Sequence, residues 1–191
     1  MSRTRRVLLG RVVFWAAALL SALAPLGATT LIQLSLTDLI TLSTGIVRAK
    51  VTGVRTDFRG ADIYTYYQLT VSEDWRASGL TPVSPQQVEV AVPGGVARGV
   101  RQTVAGSPSM TVGQEYVLFL WTSRSGLTQV IGLSQGMFMV KTDSAGNLVL
   151  IRPAAAETML DKNGNVVADS ALSISLPALR AQARSMLGVV Q

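Results

Sequence analysis

The clearest pattern along the chain is alternation with a period of two. Across Ile63–Trp75 one set of positions reads Ile63, Thr65, Tyr67, Leu69, Val71 and Trp75, and the other reads Tyr64, Tyr66, Gln68, Thr70, Ser72 and Asp74. Ile46–Thr56 sets Val47, Ala49 and Val51 against Arg48, Lys50 and Thr52, and Val88, Val90 and Val92 alternate with Glu89 and Ala91. Successive side chains of a strand point to opposite faces, so these stretches predict half-buried antiparallel strands. Tyr116–Trp121 is apolar throughout and predicts a central strand covered on both faces. Gln129–Leu133, Met137–Lys141 and Leu148–Ile151 add shorter strands.

Two stretches break this rhythm. Leu36, Leu39 and Ile40 follow helical spacing behind Ser35, a suitable N-cap, with Asp38 three residues on and Gly45 as a stop. They predict a short helix covering one end of a sheet. Near the C-terminus, Ser175, Pro177 and Gly188 bracket a helix from about Leu176 to Leu187. Turns are expected at Asp57–Gly60, across Gly79–Pro85, at Asp143–Asn147 and at Asn163-Gly164. The longest connection, Pro93–Gly113, is glycine-rich and long enough to be functional or to wrap over the fold. The expected organisation is a mainly β body over residues 29–151 and a C-terminal extension over residues 152–191 with a turn and a helix.

The first 28 residues follow a different logic. Arg3, Arg5, Arg6 and Arg11 form a basic region, Val12–Ala24 is an uncharged apolar run of 13 residues, and Pro25, Gly27 and Ala28 follow. This is the layout of a signal peptide, with cleavage expected after Ala28 and export to the periplasm or the medium. The alternative is a retained anchor, although Val12–Ala28 spans 17 residues where a spanning helix needs roughly 20. Thr4-Arg5-Arg6-Val7-Leu8-Leu9 also matches a twin-arginine signal, so the export route stays open.

The leader changes how the charge is understood. Of 17 basic residues four lie in it, whereas all 11 acidic residues lie beyond it, so the net charge of +6 falls to +2 after cleavage. The remaining cations are scattered, without the cluster that a nucleic-acid surface requires. No nucleic-acid partner is expected, and membrane contact is expected only through the N-terminal segment if it is retained. The chain has no cysteine and no histidine. Stability therefore rests on burial and backbone pairing, and the usual ligands for zinc, copper and haem are absent from the sequence. No cofactor, metal residue or catalytic residue is assigned.

Several motifs resolve into turns. Gly132-Leu133-Ser134-Gln135-Gly136 matches G-x-S-x-G, but that chemistry needs a base to take the serine proton, and a β-rich segment follows where a helix should begin. A glycine-bounded turn is expected there. Asp161–Asn165 begins like a calcium loop, yet Val166 and Leu172 occupy the sixth and twelfth positions, and Asn163-Gly164 signals a hairpin. Glu73 and Asp74 are neighbours on one strand and cannot form a facing catalytic pair. Glu89 and Glu115 occupy positions where solvated side chains are expected.

Ser35–Leu39, Gly45–Val51, Val92-Pro93-Gly94-Gly95, Val104–Pro108, Gly113–Leu120 and Gly132–Phe138, in that order, resemble an uncharacterised family of exported bacterial proteins. The resemblance covers roughly residues 35–141. That family is distantly similar to the OB-type barrel of netrin modules and tissue inhibitors of metalloproteinases. The resemblance implies an antiparallel OB-like barrel of five to seven strands. The inhibitors chelate a protease zinc through an N-terminal cysteine, and this chain has Thr29 or a neighbour there, so that mechanism does not carry over. The barrel's usual helix between its third and fourth strands is replaced by the Pro93–Gly113 loop.

Two surfaces are candidates for binding. Glycines permit close backbone approach, which points to Pro93, Gly94, Gly95, Gly106 and Pro108 of the long loop. Tyr64 and Tyr66 share the strand face opposite Tyr67, where aromatic rings can stack on a ligand or bury into a partner. The expected function is a non-enzymatic exported domain that binds a protein or envelope component. The alternative is a hydrolase or enzyme inhibitor using carboxylate or backbone groups.

Overall fold

The computed structural model describes residues 30–76 and 86–188. The expected leader (1–28) and the expected break at Gly79–Pro85 lie outside the described residues. The chain is mainly β. In order it forms β1 (Thr30–Ile32), α1 (Leu36–Leu42), β2 (Gly45–Arg59), β3 (Asp62–Asp74), β4 (Gln86–Pro93), β5 (Gly95–Ala97), β6 (Val100–Gln102) and β7 (Glu115–Thr122). Then follow β8 (Thr128–Val130), a 3-10 turn (Leu133–Gly136), β9 (Met137–Thr142), β10 (Leu148–Arg152), β11 (Thr158–Leu160), β12 (Val166–Val167), β13 (Leu172–Ser175) and α2 (Leu176–Leu187).

The principal sheet runs β13-β10-β9-β7-β2-β3-β4, with β8 pairing β7 beyond β9, and its ladders are antiparallel. At its far end β4 approaches β8, but no ladder among the described residues closes the sheet. A small sheet joins β1, β11 and β12, its β1–β11 pair being parallel, and β5–β6 is a separate hairpin. The C-terminal stretch thus contributes an edge strand, β13, to the main sheet. Among the described residues no helix is long and apolar enough to cross a membrane.

The core has two layers because β7 is buried on both faces. Tyr116, Leu118 and Leu120 meet Val47, Ala49, Val51, Tyr67, Leu69 and Val90 on one side. Val117 and Phe119 meet Ile46, Trp75, Phe138 and Leu150 on the other, where both helices lie with Leu39, Ile40, Leu179 and Ala183 inward. The Phe119 and Phe138 rings stand edge to face, with centroids 5.7 Å apart. α1 therefore packs on a sheet face beside α2 and does not cap a sheet end.

Trp75 lies in the helix-side layer, although simple alternation places it with Tyr67 and Leu69. The cause is a register shift at Arg48/Ala49, where Val71 pairs Ala49 but Glu73 pairs Arg48. One extra residue, Ser72, reverses which face the following positions address. A second shift at Val51/Gly53 adds Thr52 to β2 and turns Val54 toward Tyr67. Such bulges raise local twist, which lets the 15-residue β2 pair β7 with its first half and continue with β3 alone.

Local signals place both helices. Ser35 Oγ accepts from the Asp38 N–H (3.1 Å) and Asp38 Oδ2 accepts from the Ser35 N–H (3.0 Å), a complete capping box. α1 stops at Leu42 rather than at Gly45: the Ser43 hydroxyl donates to the Leu39 carbonyl, and the Thr44 N–H donates to the Leu120 carbonyl (2.7 Å), drawing the chain into β2. α2 begins behind Ser175, with Pro177 in its first turn, and ends at Gly188 in the left-handed region (φ 67°).

Besides its β11 ladder, the N-terminal segment is held by one buried side chain. Gln135 accepts from the Leu34 N–H (2.8 Å) through Oε1 and donates to the Ile32 carbonyl (3.0 Å) through Nε2, supplying what a neighbouring strand would supply. Gln135→Leu leaves both backbone groups without partners and should lower unfolding stability by about 3 kcal/mol, measured by urea denaturation. The Asp38 carboxyl is pushed down to about 2 by hydrogen bonds from Ser35 and Lys162. Its contribution should be fully present above about pH 3.8 and fade as pH falls toward 2. Asp38→Asn should remove that part of the acid dependence, followed as melting temperature between pH 5 and 2.

Candidate binding cleft

β4 ends at Pro93, and the chain reverses through Gly94 (φ 95°) and Gly95 (φ 138°). The Gly94 N–H donates to the Ile63 carbonyl (2.7 Å), and the Thr65 hydroxyl donates to the Gly94 carbonyl (2.8 Å). A Cβ on Gly95 would stand 2.5 Å from Thr56 Cγ2 and 2.6 Å from Thr65 Oγ1, so only glycine fits this crossing over β2 and β3. The β5–β6 hairpin follows, turning at Arg98-Gly99 with both φ values positive (49° and 78°), the requirement of a two-residue type I′ turn. Gln102 pins the hairpin back: its Oε1 accepts from the Ile63 N–H (2.6 Å) and its Nε2 donates to Asp62 Oδ1 (3.2 Å).

Residues 103–113 then form a strap across the core. The Met110 N–H donates to the Tyr67 hydroxyl (3.3 Å), the Thr111 N–H to the Tyr116 hydroxyl (3.0 Å), and the Met110 side chain is buried. The Ser107 hydroxyl donates to the Pro93 carbonyl (2.6 Å) and ties the strap to the start of the loop. Between hairpin and strap lies a cleft of about 250 Å³. Its wall includes Arg101, an exposed guanidinium for which no carboxylate partner is found among the described residues, together with Ser109 and Thr103.

Pro93, Gly94, Gly95 and Pro108 are brought together on this cleft. Gly106 is not on it. Gly106 packs beneath the N-terminal strand, where a Cβ would meet Leu31 at 3.0 Å and Leu133 at 3.2 Å, and its carbonyl accepts from the Ser134 N–H (3.0 Å). Tyr64 and Tyr66 lie on the other face of β3, with ring centroids 6.2 Å apart, while Tyr67 lines the cleft. Tyr66 is buried: the Arg55 guanidinium sits 4.1 Å from its ring centroid, held there by Glu89 at 2.9 Å. An exposed pair of tyrosines is therefore not what this face presents, and Tyr64 is only partly exposed. Arg101 carried no sequence signal because the hairpin that presents it is made of two three-residue strands.

Three glutamates are engaged in ion pairs. Glu73 Oε1 accepts from Arg48 (3.0 Å) and Arg180 (2.7 Å), its Oε2 accepts from the Trp75 indole N–H (3.0 Å), and Glu115 pairs with Arg48 at 2.8 Å. Burial weakens the Arg48 charge, but hydrogen bonds to Glu115 and Glu73 outweigh it and raise the guanidinium above its ordinary value. Glu115 and Glu89 are thus ion-paired where solvated side chains were expected. The G-x-S-x-G segment is the 3-10 turn between β8 and β9. Asp161 closes its own hairpin turn, accepting from the Asn163 and Asn165 N–H groups at 2.8 Å each.

A comparison with family models, curated proteins and solved structures finds no match to this chain. Gly95→Ala should destabilise the fold by at least about 2 kcal/mol, because it meets both a forbidden backbone conformation and a steric clash. Gly60→Ala is the control, since a Cβ there has nothing within 4 Å although its φ is also positive. Chemical denaturation of the two variants should separate the clash from the backbone cost.

Proposed function

We propose that this chain is an exported, non-enzymatic binding domain that takes a protein or envelope component at the cleft between the β5–β6 hairpin and the strap. The observation that carries the proposal is Arg101, a cation without a carboxylate partner among the described residues, on a cleft whose backbone is fixed by Gly94, Gly95 and Ser107. A wall of this kind favours a ligand that presents an anionic group. The leader-like residues 1–28 support the exported location, periplasmic or secreted. Glu73, Glu115 and Glu89 already accept hydrogen bonds from arginines, which favours binding over carboxylate chemistry.

We also infer an OB-like barrel that is closed by packing rather than by a ladder. The succession β4-β3-β2-β7-β8 and the approach of β4 to β8 support it. The resemblance to exported bacterial proteins and, distantly, to netrin-type barrels belongs to the same proposal.

Gly94 and Gly95 hold the fold, so the test uses exposed cleft residues. The immobilised protein should retain an envelope component from an extract, and Arg101→Glu or Ser109→Trp should cut retention at least about tenfold at unchanged melting temperature. If both variants retain the component as the parent does, the cleft is not the site.

A further inference from the structure

A second cavity, of about 380 Å³, lies between the segment entering α1 and the edge strand β13. Its walls are mostly apolar: Leu34, Leu36 and Ile174 are half-buried, Phe138 is fully buried, and Leu172 is 38 % exposed. Arg152 and Asp169 also line it, with Gln33, Ser35, Ser170 and Ser173 at its polar margin. The Arg152 and Asp169 side chains are 8 % and 3 % exposed, and Arg152 Nη1 and Nη2 each donate to one Asp169 oxygen at 2.9 Å. Asp169 also accepts from the Ala155 N–H (2.8 Å).

This ion pair leaves one atom unserved. The Nε–H of Arg152 is buried and has no acceptor, and it is the one such side-chain atom among the residues lining this cavity. A buried donor without a partner is costly, and a native structure normally supplies one. Arg48, Arg180 and Arg184 carry buried side-chain nitrogens of the same kind, but none of these three residues lines this cavity. Arg152 is the one set beside this hollow, which is of the size that holds small ligands.

We infer that this cavity is a binding site for a small neutral amphiphile, an apolar chain whose ester or amide carbonyl accepts from Arg152 Nε. The apolar walls select the chain. The buried pair selects a neutral head, because Asp169 already balances the arginine charge and a second anion would stand beside a buried carboxylate. Hydrogen bonds from Arg152 and the Ala155 N–H outweigh the effect of burial and hold the Asp169 carboxyl below its ordinary value, so it stays ionised at neutral pH. The site does not depend on the hairpin cleft.

Calorimetric titration of the intact protein with 1-monooctanoylglycerol below its aggregation concentration tests this. One saturable site is expected, tightening about fourfold per added methylene until the cavity is full. Leu172→Trp, which blocks the mouth and leaves the ion pair in place, should abolish binding. Arg152→Lys, which keeps the charge and removes Nε–H, should weaken it about tenfold. Octanoate should bind at least about tenfold more weakly than the ester. Arg101→Glu should change nothing here, which separates this site from the cleft. No saturable binding of the ester, equal binding by Leu172→Trp, or octanoate binding as tightly as the ester would each overturn the proposal, the first by leaving the cavity to water.

Discussion

A strand without a polar face has to be covered twice, and β7 is such a strand. Tyr116 through Leu120 are all buried, with odd and even positions in different layers. Each large apolar side chain of this kind contributes about 1.5–3 kcal/mol when fully buried, so leaving either face open would forfeit a large share of the stability of a domain this size. The two covers are of different kinds. Helices α1 and α2 cover the face of Val117 and Phe119, while the bent β2–β3–β4 unit and the strap cover the face of Tyr116, Leu118 and Leu120. The bulges in the β2–β3 pairing follow from this demand, since a flat hairpin could not turn Tyr67 and Leu69 over β7 while Trp75 stays with the helices.

Covering both faces brings charged groups inside, and they are met by ion pairs. Arg48 leaves the sheet on the helix side and is answered by Glu73 and Glu115. Arg180 brings α2 onto the same Glu73. The arrangement specifies how the helix sits more than it adds net stability, because desolvating charges offsets much of their attraction. The Lys162–Asp38 pair, at 2.9 Å, joins the β11–β12 turn to the cap of α1 in the same way at lower cost, since the lysine is exposed.

What the sequence disclosed follows from which forces act locally. Period-two alternation located β2, β3 and β4, an unbroken apolar run located β7, short runs located β9 and β10, and the caps Ser35, Ser175 and Gly188 located both helices, because side-chain direction and capping are decided within a few residues. Strands of two to four residues, β1, β5, β6, β11, β12 and β13, are too short to show a period and exist through their partners. Trp75 changed layers because a bulge depends on the pairing strand. Tyr66 is covered because Arg55 of β2 and Glu89 of β4, 34 residues apart, meet across β3. The glycine pair was visible as a special backbone site, but what makes it special is the approach of Thr56 and Thr65 from two other strands. Four of the seven candidate residues meet at one cleft for this reason, and the arginine beside them was hidden in a hairpin.

The same long-range ties explain how a chain without cysteine keeps its long connections ordered. A disulfide would fix a loop by removing entropy from the unfolded chain. Here the strap is fixed by the hydroxyls of Tyr67 and Tyr116, the N-terminal segment by Gln135 together with β11, and residues 152–170 by Arg152 on Asp169. In each case a buried side chain satisfies a backbone or charged group that would otherwise be stranded, so the loss on release exceeds the small net worth of an ordinary hydrogen bond. Backbone held in this way is already in place when a ligand arrives, and the ordering cost of binding at the cleft is met by folding. Rigidity at Gly94, Gly95 and Ser107 and recognition at Arg101 are therefore separable, and binding at Arg101 can change without loss of the fold.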